Sequence, residues 1–277
     1  MKQAIPLLIC LVAGLTLSSF AFRESHSGGP SKSFKQRFSL VPAGSVFIGK
    51  TSIPVEEFYI SKLEVTNYEY NQFILEIKIS GNQDLLDKIK VENNLWETVC
   101  NNKSLVSSYT TNPSYSLHPA VNISYEGAVE YCKWMTEKEN QSAKKGWVYE
   151  YRLPTRAEWI RAAEGNYHQV DYAWGGKSAF NSKDCLLCQC NGTTEPKTSI
   201  DMHTYTCRTD AYFPSPIGLY CMNGNAAEMI AEKGIAVGGS WASPDTDVKN
   251  SSMMRYDGPS PMVGFRPIVL VHKSGKK

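Results

Sequence analysis

The sequence has no cysteine beyond Cys221, no run of like charges longer than two residues, and no internal repeat. Each absence removes a class of reading. With 29 Lys+Arg against 27 Asp+Glu the chain is close to neutral, so neither nucleic acid nor an anionic membrane surface is an expected partner. The missing repeat excludes solenoids, and no Gly/Pro/Ser-rich linker divides the chain, which points to one domain. Histidine is scarce as well. His26, His118, His168, His203 and His272 show no i,i+3 or i,i+4 pairing, so they give no sign of a metal-binding helix. A Ser/His/Asp hydrolase leaves no signal beyond the presence of those residue types.

What is present begins with a segment for export. Lys2, an apolar run from Leu7 to Leu17, and the small residues of Ser19-Phe20-Ala21 form a signal peptide over 1–21. The run is short for a bilayer span, and no transmembrane segment is expected after cleavage. The expected location is the periplasm or the outer membrane. Cys10 follows Ile9 inside the apolar run, a poor position for lipid attachment. Residues 22–37, with Gly28-Gly29-Pro30, read as a flexible leader, and 38–272 as the folded domain.

The mature chain keeps Cys100, Cys132, Cys185, Cys188, Cys190, Cys207 and Cys221. In an oxidising compartment these are disulfide candidates, and the odd count leaves one thiol over. Cys185-x-x-Cys188-x-Cys190 with Cys207 could equally hold zinc, since four thiolates at such spacings can reach a tetrahedron. Asn102, Asn122, Asn140, Asn191 and Asn250 lie in glycosylation sequons, which matter only in a host that glycosylates exported proteins.

Caps announce three helices. Thr66 and Glu69 form a capping box ahead of the apolar stripe Tyr70, Phe73, Ile74, Ile77. Ser124 caps a helix that buries Ala128, Tyr131, Cys132 and Met135, and Thr155 with Glu158 boxes one carrying Trp159, Ala162 and Ala163. Two strands are expected around a turn at Pro42-Ala43-Gly44, and another over Val55 to Leu63. Residues 79–117 read as an insertion with one amphipathic piece near Leu85 to Val91. From Gly165 to Gly239 no period persists, so cross-links, ions or side-chain bonds must order the chain there.

In order along the chain stand Val41-Pro-Ala-Gly-Ser45, Glu64-Val-Thr-Asn67, His118-Pro-Ala-Val-Asn-Ile-Ser-Tyr125, Arg152-Leu-Pro-Thr-Arg-Ala-Glu-Trp159 and Tyr172-Ala-Trp-Gly175. Gly218-Leu-Tyr-Cys-Met-Asn-Gly-Asn225 with Glu228, Gly238-Gly-Ser-Trp241 and Gly264-Phe-Arg266 follow. This succession resembles the formylglycine-generating enzyme (sulfatase-modifying factor) domain. Its detail is similar to exported Bacteroidetes members, including gliding-motility and type IX secretion lipoproteins. The resemblance implies an α+β, C-type-lectin-like fold: small twisted sheets, a few helices and much irregular chain, often tied by calcium. Arg266 is then expected as a scaffold arginine bonding loop carbonyls from inside.

The family's enzymes carry two cysteines shortly after Gly-Gly-Ser-aromatic, and those thiolates bind copper for oxygen chemistry. The corresponding positions here are Ser243 and Val248. No copper is therefore expected, and the resemblance implies a member without catalytic residues. Calcium in relatives sits at the segment that here offers Gly224, Ala226 and Glu228; Cys221 replaces a hard oxygen donor and weakens the site. Asn191 marks a second such position. The former substrate cleft, with Trp241, Ser243, Asp245, Tyr256 and Met262, becomes the candidate partner-binding face for a protein of an envelope complex or a glycan. An oxidase-type enzyme of the same family is the alternative.

Overall fold

Capping geometry fixes the helices that the sequence announces. Glu69 Oε2 accepts from the Thr66 amide at 2.9 Å while Thr66 Oγ1 accepts from the Glu69 amide at 3.2 Å, closing the expected box. Thr155 and Glu158 repeat it, and Ser124 Oγ accepts from the Gly127 amide at 2.9 Å.

The computed structural model describes residues 30–191 and 205–274, and one unit runs from Ser31. The signal peptide, the leader up to Gly29, His26 and His203 lie outside the described residues. In chain order the elements are α1 (Lys32–Arg37), β1 (Phe38–Val41), β2 (Gly44–Ile48), β3 (Thr51–Val55), β4 (Phe58–Ser61), α2 (Asn67–Ser80), α3 (Gln83–Ile89), α4 (Leu95–Thr98) and α5 (Lys103–Ser108). Then come α6 (Tyr125–Ser142), β5 (Trp147–Arg152), α7 (Arg156–Glu164), β6 (Ala227–Met229), β7 (Ile235–Val237), β8 (Met253–Arg255), β9 (Val263–Phe265) and β10 (Ile268–Lys273).

Three small sheets result, ordered β1-β4-β10-β5, β2-β3 and β8-β7-β6-β9. All pairs are antiparallel except β6 with β9, where Glu228 lies opposite Gly264. One core cluster packs α2 and α6 around Phe73, Tyr131 and Phe265; a second packs α7, with Trp159, against Val41, Ile60 and Val237. No helix among the described residues is long and apolar enough to cross a membrane.

Three expectations are corrected. The leader does not reach 37: Ser31 caps α1, and its Phe34 is buried and stacked 4.6 Å from Phe38, so its apolar area holds the chain to the core. The strand expected over Val55 to Leu63 is divided, with Val55 ending β3 in the two-stranded sheet and Phe58–Ser61 forming β4 in another. The insertion over 79–117 is not an appendage carrying one amphipathic piece. It supplies α3, α4 and α5, and buries Trp96, Leu105 and Tyr109 in a third core cluster with Val121 and Ala226.

Candidate functional site

A buried charge network stands behind the loops. Arg266 is 0% exposed; its Nε donates to both oxygens of Glu228 at 2.9 and 3.1 Å, and Nη2 donates to Oε1 at 2.7 Å. Trp159 Nε1 donates to Glu228 Oε2 at 2.7 Å. The remaining guanidinium hydrogens reach Ser61 O at 3.1 Å and Tyr220 O at 2.7 Å, which is the scaffold arginine that the resemblance implies. Glu64, 0% exposed, accepts from Asn225 Nδ2 at 2.7 Å and from the Ala226 amide at 3.0 Å. Burial pushes the Glu64 carboxyl up to about 8; Arg266 pulls it down and Glu228 pushes it up.

These contacts decide how the expected calcium ligands fit. Glu228 is saturated by N–H donors, and a dication there would compete with Arg266 for the same carboxylate and be repelled by its like charge. Gly224 packs closely: at φ +78° a Cβ there would stand 2.3 Å from Gln189 O. Asn191 enters through its backbone, its amide donating to Ser243 O at 2.8 Å. The residues present do not fit a calcium ion at Glu228. Cys185 is exposed and its thiol turns to Lys183 O, and among the described residues no trio of His, Cys, Asp or Glu is arranged to hold a metal. The zinc alternative is thereby corrected.

The two positions after Gly238-Gly-Ser-Trp241 are closed. Ser243 Oγ accepts from the Ser240 amide at 3.0 Å, and Val248 is fully buried. Val248 packs in one cluster with Tyr172, Ala179, Cys188 and Cys190, a juxtaposition the sequence did not signal. The Sγ atoms of Cys188 and Cys190 lie 3.8 Å apart. The hydrogen bond from Cys188 to Cys190, then burial, holds the Cys188 thiol well above its ordinary value.

The candidate recognition residues are brought together only in part. Trp241 Nε1 donates to Pro261 O at 2.9 Å, which ties the 241 loop to the segment carrying Met262. Its ring lies 6.5 Å from Trp96 of α4 and 5.0 Å from Tyr205, so the insertion covers the face that Trp241 was expected to present. Asp245 accepts from Tyr172 Oη at 3.0 Å through its carbonyl. Tyr256 and Met262 pack against the first core cluster and Trp241 against the third. Two of the five sequons are also closed, since Asn122 and Asn250 are buried.

Sequence reasoning missed the asparagines that order the irregular stretch. Asn223 accepts from the Ala173 amide at 2.9 Å and donates to Val248 O at 2.7 Å and Asn250 Oδ1 at 3.0 Å. Asn225 accepts from the Cys207 amide at 2.8 Å. An Asn-Gly-Asn in a stretch without period was the available signal, since such side chains bond backbone groups where ladders are lacking.

Known proteins resemble the chain in sequence or in fold. The chain is 32% identical over 160 residues to a formylglycine-generating enzyme of Thermomonospora curvata, covering 57% of this chain and 44% of that one. It is 28% identical over 115 residues to the formylglycine-generating enzyme of Bos taurus, covering 42% and 27%. The matches thus span less than half the length of these relatives. Among solved structures, CarF matches with a TM-score of 0.57 at 18% identity, covering 83% of this chain and 97% of that one. PvdO from Pseudomonas aeruginosa matches with 0.56 at 17%, covering 84% and 93%. At that identity they show a shared fold, and it is the α+β, C-type-lectin-like one expected. The profile of the sulfatase-modifying factor enzyme 1-like domain matches residues 27–270, and the chain belongs to that family.

Proposed function

We propose that the chain is an exported, non-catalytic member of its family, acting as a binding or scaffold module for a protein or a glycan, with a gliding- or secretion-type envelope complex as its setting. The periplasm or the outer membrane is the location this reading requires. One observation carries it. At the two positions where the family's enzymes hold thiols, a serine hydroxyl is committed to the Ser240 amide and a valine is fully buried. Neither group can offer a soft ligand at neutral pH. Loops on a rigid frame remain, and such loops are where recognition surfaces lie.

One observation favours the alternative, an oxidase: Cys188 and Cys190 pack against Val248 itself. Against it stands the Cys188 thiol, which resists ionisation where copper chemistry needs thiolate. The test is to incubate the purified chain with copper, oxygen and a Cys-x-Pro-x-Arg peptide, and in parallel to isolate it from native membranes. No aldehyde in the peptide, together with a defined co-purifying partner, is the expected result. Aldehyde formation overturns the proposal.

A further inference from the structure

The face that Trp241 was expected to present is covered, but the irregular stretch carries aromatic rings elsewhere that are not. Phe213 is 91% exposed, Tyr167 is exposed as well, and Trp174 is half-buried. Two loops hold them: residues 166–178 carry Tyr167 and Trp174, and residues 211–216 carry Phe213. The loops adjoin. Trp174 and Phe213 line one shallow recess together with Tyr212, and the Tyr167 ring lies against Gly175, where a Cβ would stand 2.6 Å from it.

Each ring sits on a braced segment. The Tyr167 amide donates to Glu164 O at 2.8 Å, and the Gln169 amide donates to Glu164 Oε1 at 3.0 Å. Trp174 Nε1 donates to Ser178 O at 3.2 Å, and its ring stacks on Tyr172 with centroids 4.8 Å apart. Tyr212 stands at φ +63°, which a bulky residue keeps only where its surroundings hold it, and its hydroxyl donates to Gln189 Oε1 at 3.2 Å. Pro214 and Pro216 stiffen the chain beyond Phe213. Rings braced in this way lose little freedom when a ligand covers them.

The surroundings select the ligand. No large aliphatic side chain is exposed on either loop, so the apolar surface there is aromatic. A stable protein partner needs about 800 Å² on each side, far more than three rings supply. Aromatic faces carry partial negative charge, and the flat side of a pyranose presents C–H groups that complement it. Exposed Asn166, Gln169 and Ser178 follow or precede the rings in the chain, with the donors and acceptors that sugar hydroxyls need. Charges flanking the loops are paired, Arg208 with Asp210 at 2.8 Å and Lys249 with Asp171 at 3.2 Å, which leaves no cluster of one sign to draw an acidic sugar. The recess between Trp174, Tyr212 and Phe213 has a volume of about 20 Å³, room for one water-sized group. The ligand therefore lies across the rings and does not enter between them.

We infer that Tyr167, Trp174 and Phe213 form a platform for a neutral oligosaccharide, whose pyranose rings stack across them. The inference rests on the reading of the chain as a binding module and names a glycan as its ligand.

Calorimetric titration of the full chain with cellohexaose, chitohexaose and xylohexaose tests it. Saturable binding to at least one of the three is expected, with an affinity that is the same at low and high salt. Phe213→Ala should weaken that binding about tenfold or more and leave Tm unchanged, because the ring is almost wholly exposed. Tyr167→Ser should weaken it as well. Phe47→Ala, which removes an exposed ring from β2, should leave it unchanged. Binding to none of the three sugars, binding that survives Phe213→Ala, or an affinity that falls as salt is added overturns the inference. A protein partner recovered from native membranes by a chain that binds no sugar would remove the platform and leave the binding role standing. Aldehyde formation by a chain that does bind sugar would do the reverse.

Discussion

Replacing Arg266 by methionine tests the account of the buried network most directly. The guanidinium has no exposed surface and makes every one of its contacts inside, to Glu228, Ser61 O and Tyr220 O. Its removal strands the Glu228 carboxylate, itself 1% exposed, with only Trp159 Nε1 to satisfy it. Breaking a buried pair in this way costs about 3–5 kcal/mol, which in a chain of this size lowers Tm by roughly 6–20 °C. Glu228→Leu strands the arginine instead and carries a similar cost. The double variant Arg266→Met/Glu228→Leu strands neither charge, so its loss should fall at least about 2 kcal/mol short of the two single losses added. It will not return to the original stability, because Ser61 O and Tyr220 O lose their charged donor. Urea unfolding followed by tryptophan fluorescence measures all four corners of the cycle. Additive losses, or single losses below about 1 kcal/mol, would show that the network is not what holds β6 and β9 to the rest.

Further expectations follow from the same contacts. Because burial raises the Glu64 carboxyl to about 8, the folded chain holds this proton more tightly than the unfolded one. Its contribution is complete below the unfolded pKa of about 4.3 and is lost as pH rises through 8, with a slope no steeper than about 1.4 kcal/mol per unit. Glu64→Gln should therefore flatten the fall in stability between those limits, read by thermal unfolding across pH. Trp96→Ala should cost about 3–5 kcal/mol and raise quenching of Trp241 by iodide, since the insertion's ring covers it. Phe34→Ala should cost a similar amount, and proteolysis should then remove the chain up to Phe38. In Gly224→Ala the methyl group meets Gln189 O at 2.3 Å at a positive φ, so a loss of about 2–4 kcal/mol is expected in the same urea assay.

The helices with boxed or capped starts were legible because their signals are local: Thr66 with Glu69, Ser124, and Thr155 with Glu158 act within one turn. The scaffold role of Arg266 was legible from the resemblance. The split between β3 and β4 was not, since Glu56 and Glu57 between them interrupt the pattern only weakly, and sheet membership depends on partners far along the chain. The helical insertion was read poorly for a related reason. Its helices α4 and α5 are four and six residues long, and what fixes them is the burial of Trp96 and Leu105 against Val121 and Ala226. Of the candidate site, Ser243 and Val248 were readable as the two positions the resemblance singles out, whereas the approach of Cys188 and Cys190 to Val248 is purely tertiary.

The irregular stretch sets a physical problem that the asparagine network answers. Between α7 and β6 the described chain forms no strand, yet Cys188, Asn223, Asn225 and Thr209 are buried there, and buried backbone groups need partners. Metal ions can meet that need, but an ion requires several hard oxygen ligands, and here Cys221 and the Arg266-bound Glu228 deny two of them. Side-chain amides do the same work at short range, because each offers two donors and two acceptors. Asn223 joins the segments at Ala173, Val248 and Asn250, while Asn225 joins Cys207 to Glu64 and, through its backbone, Gln189 to Trp241. Such amides do not change charge between pH 5 and 8, so the loops they hold should keep their order when chelator is added and when pH falls. Hydrogen exchange of the Ala173, Cys207 and Ala226 amides measures that order, and chelator-induced loss of their protection would show that an ion, and not the amides, carries the loops.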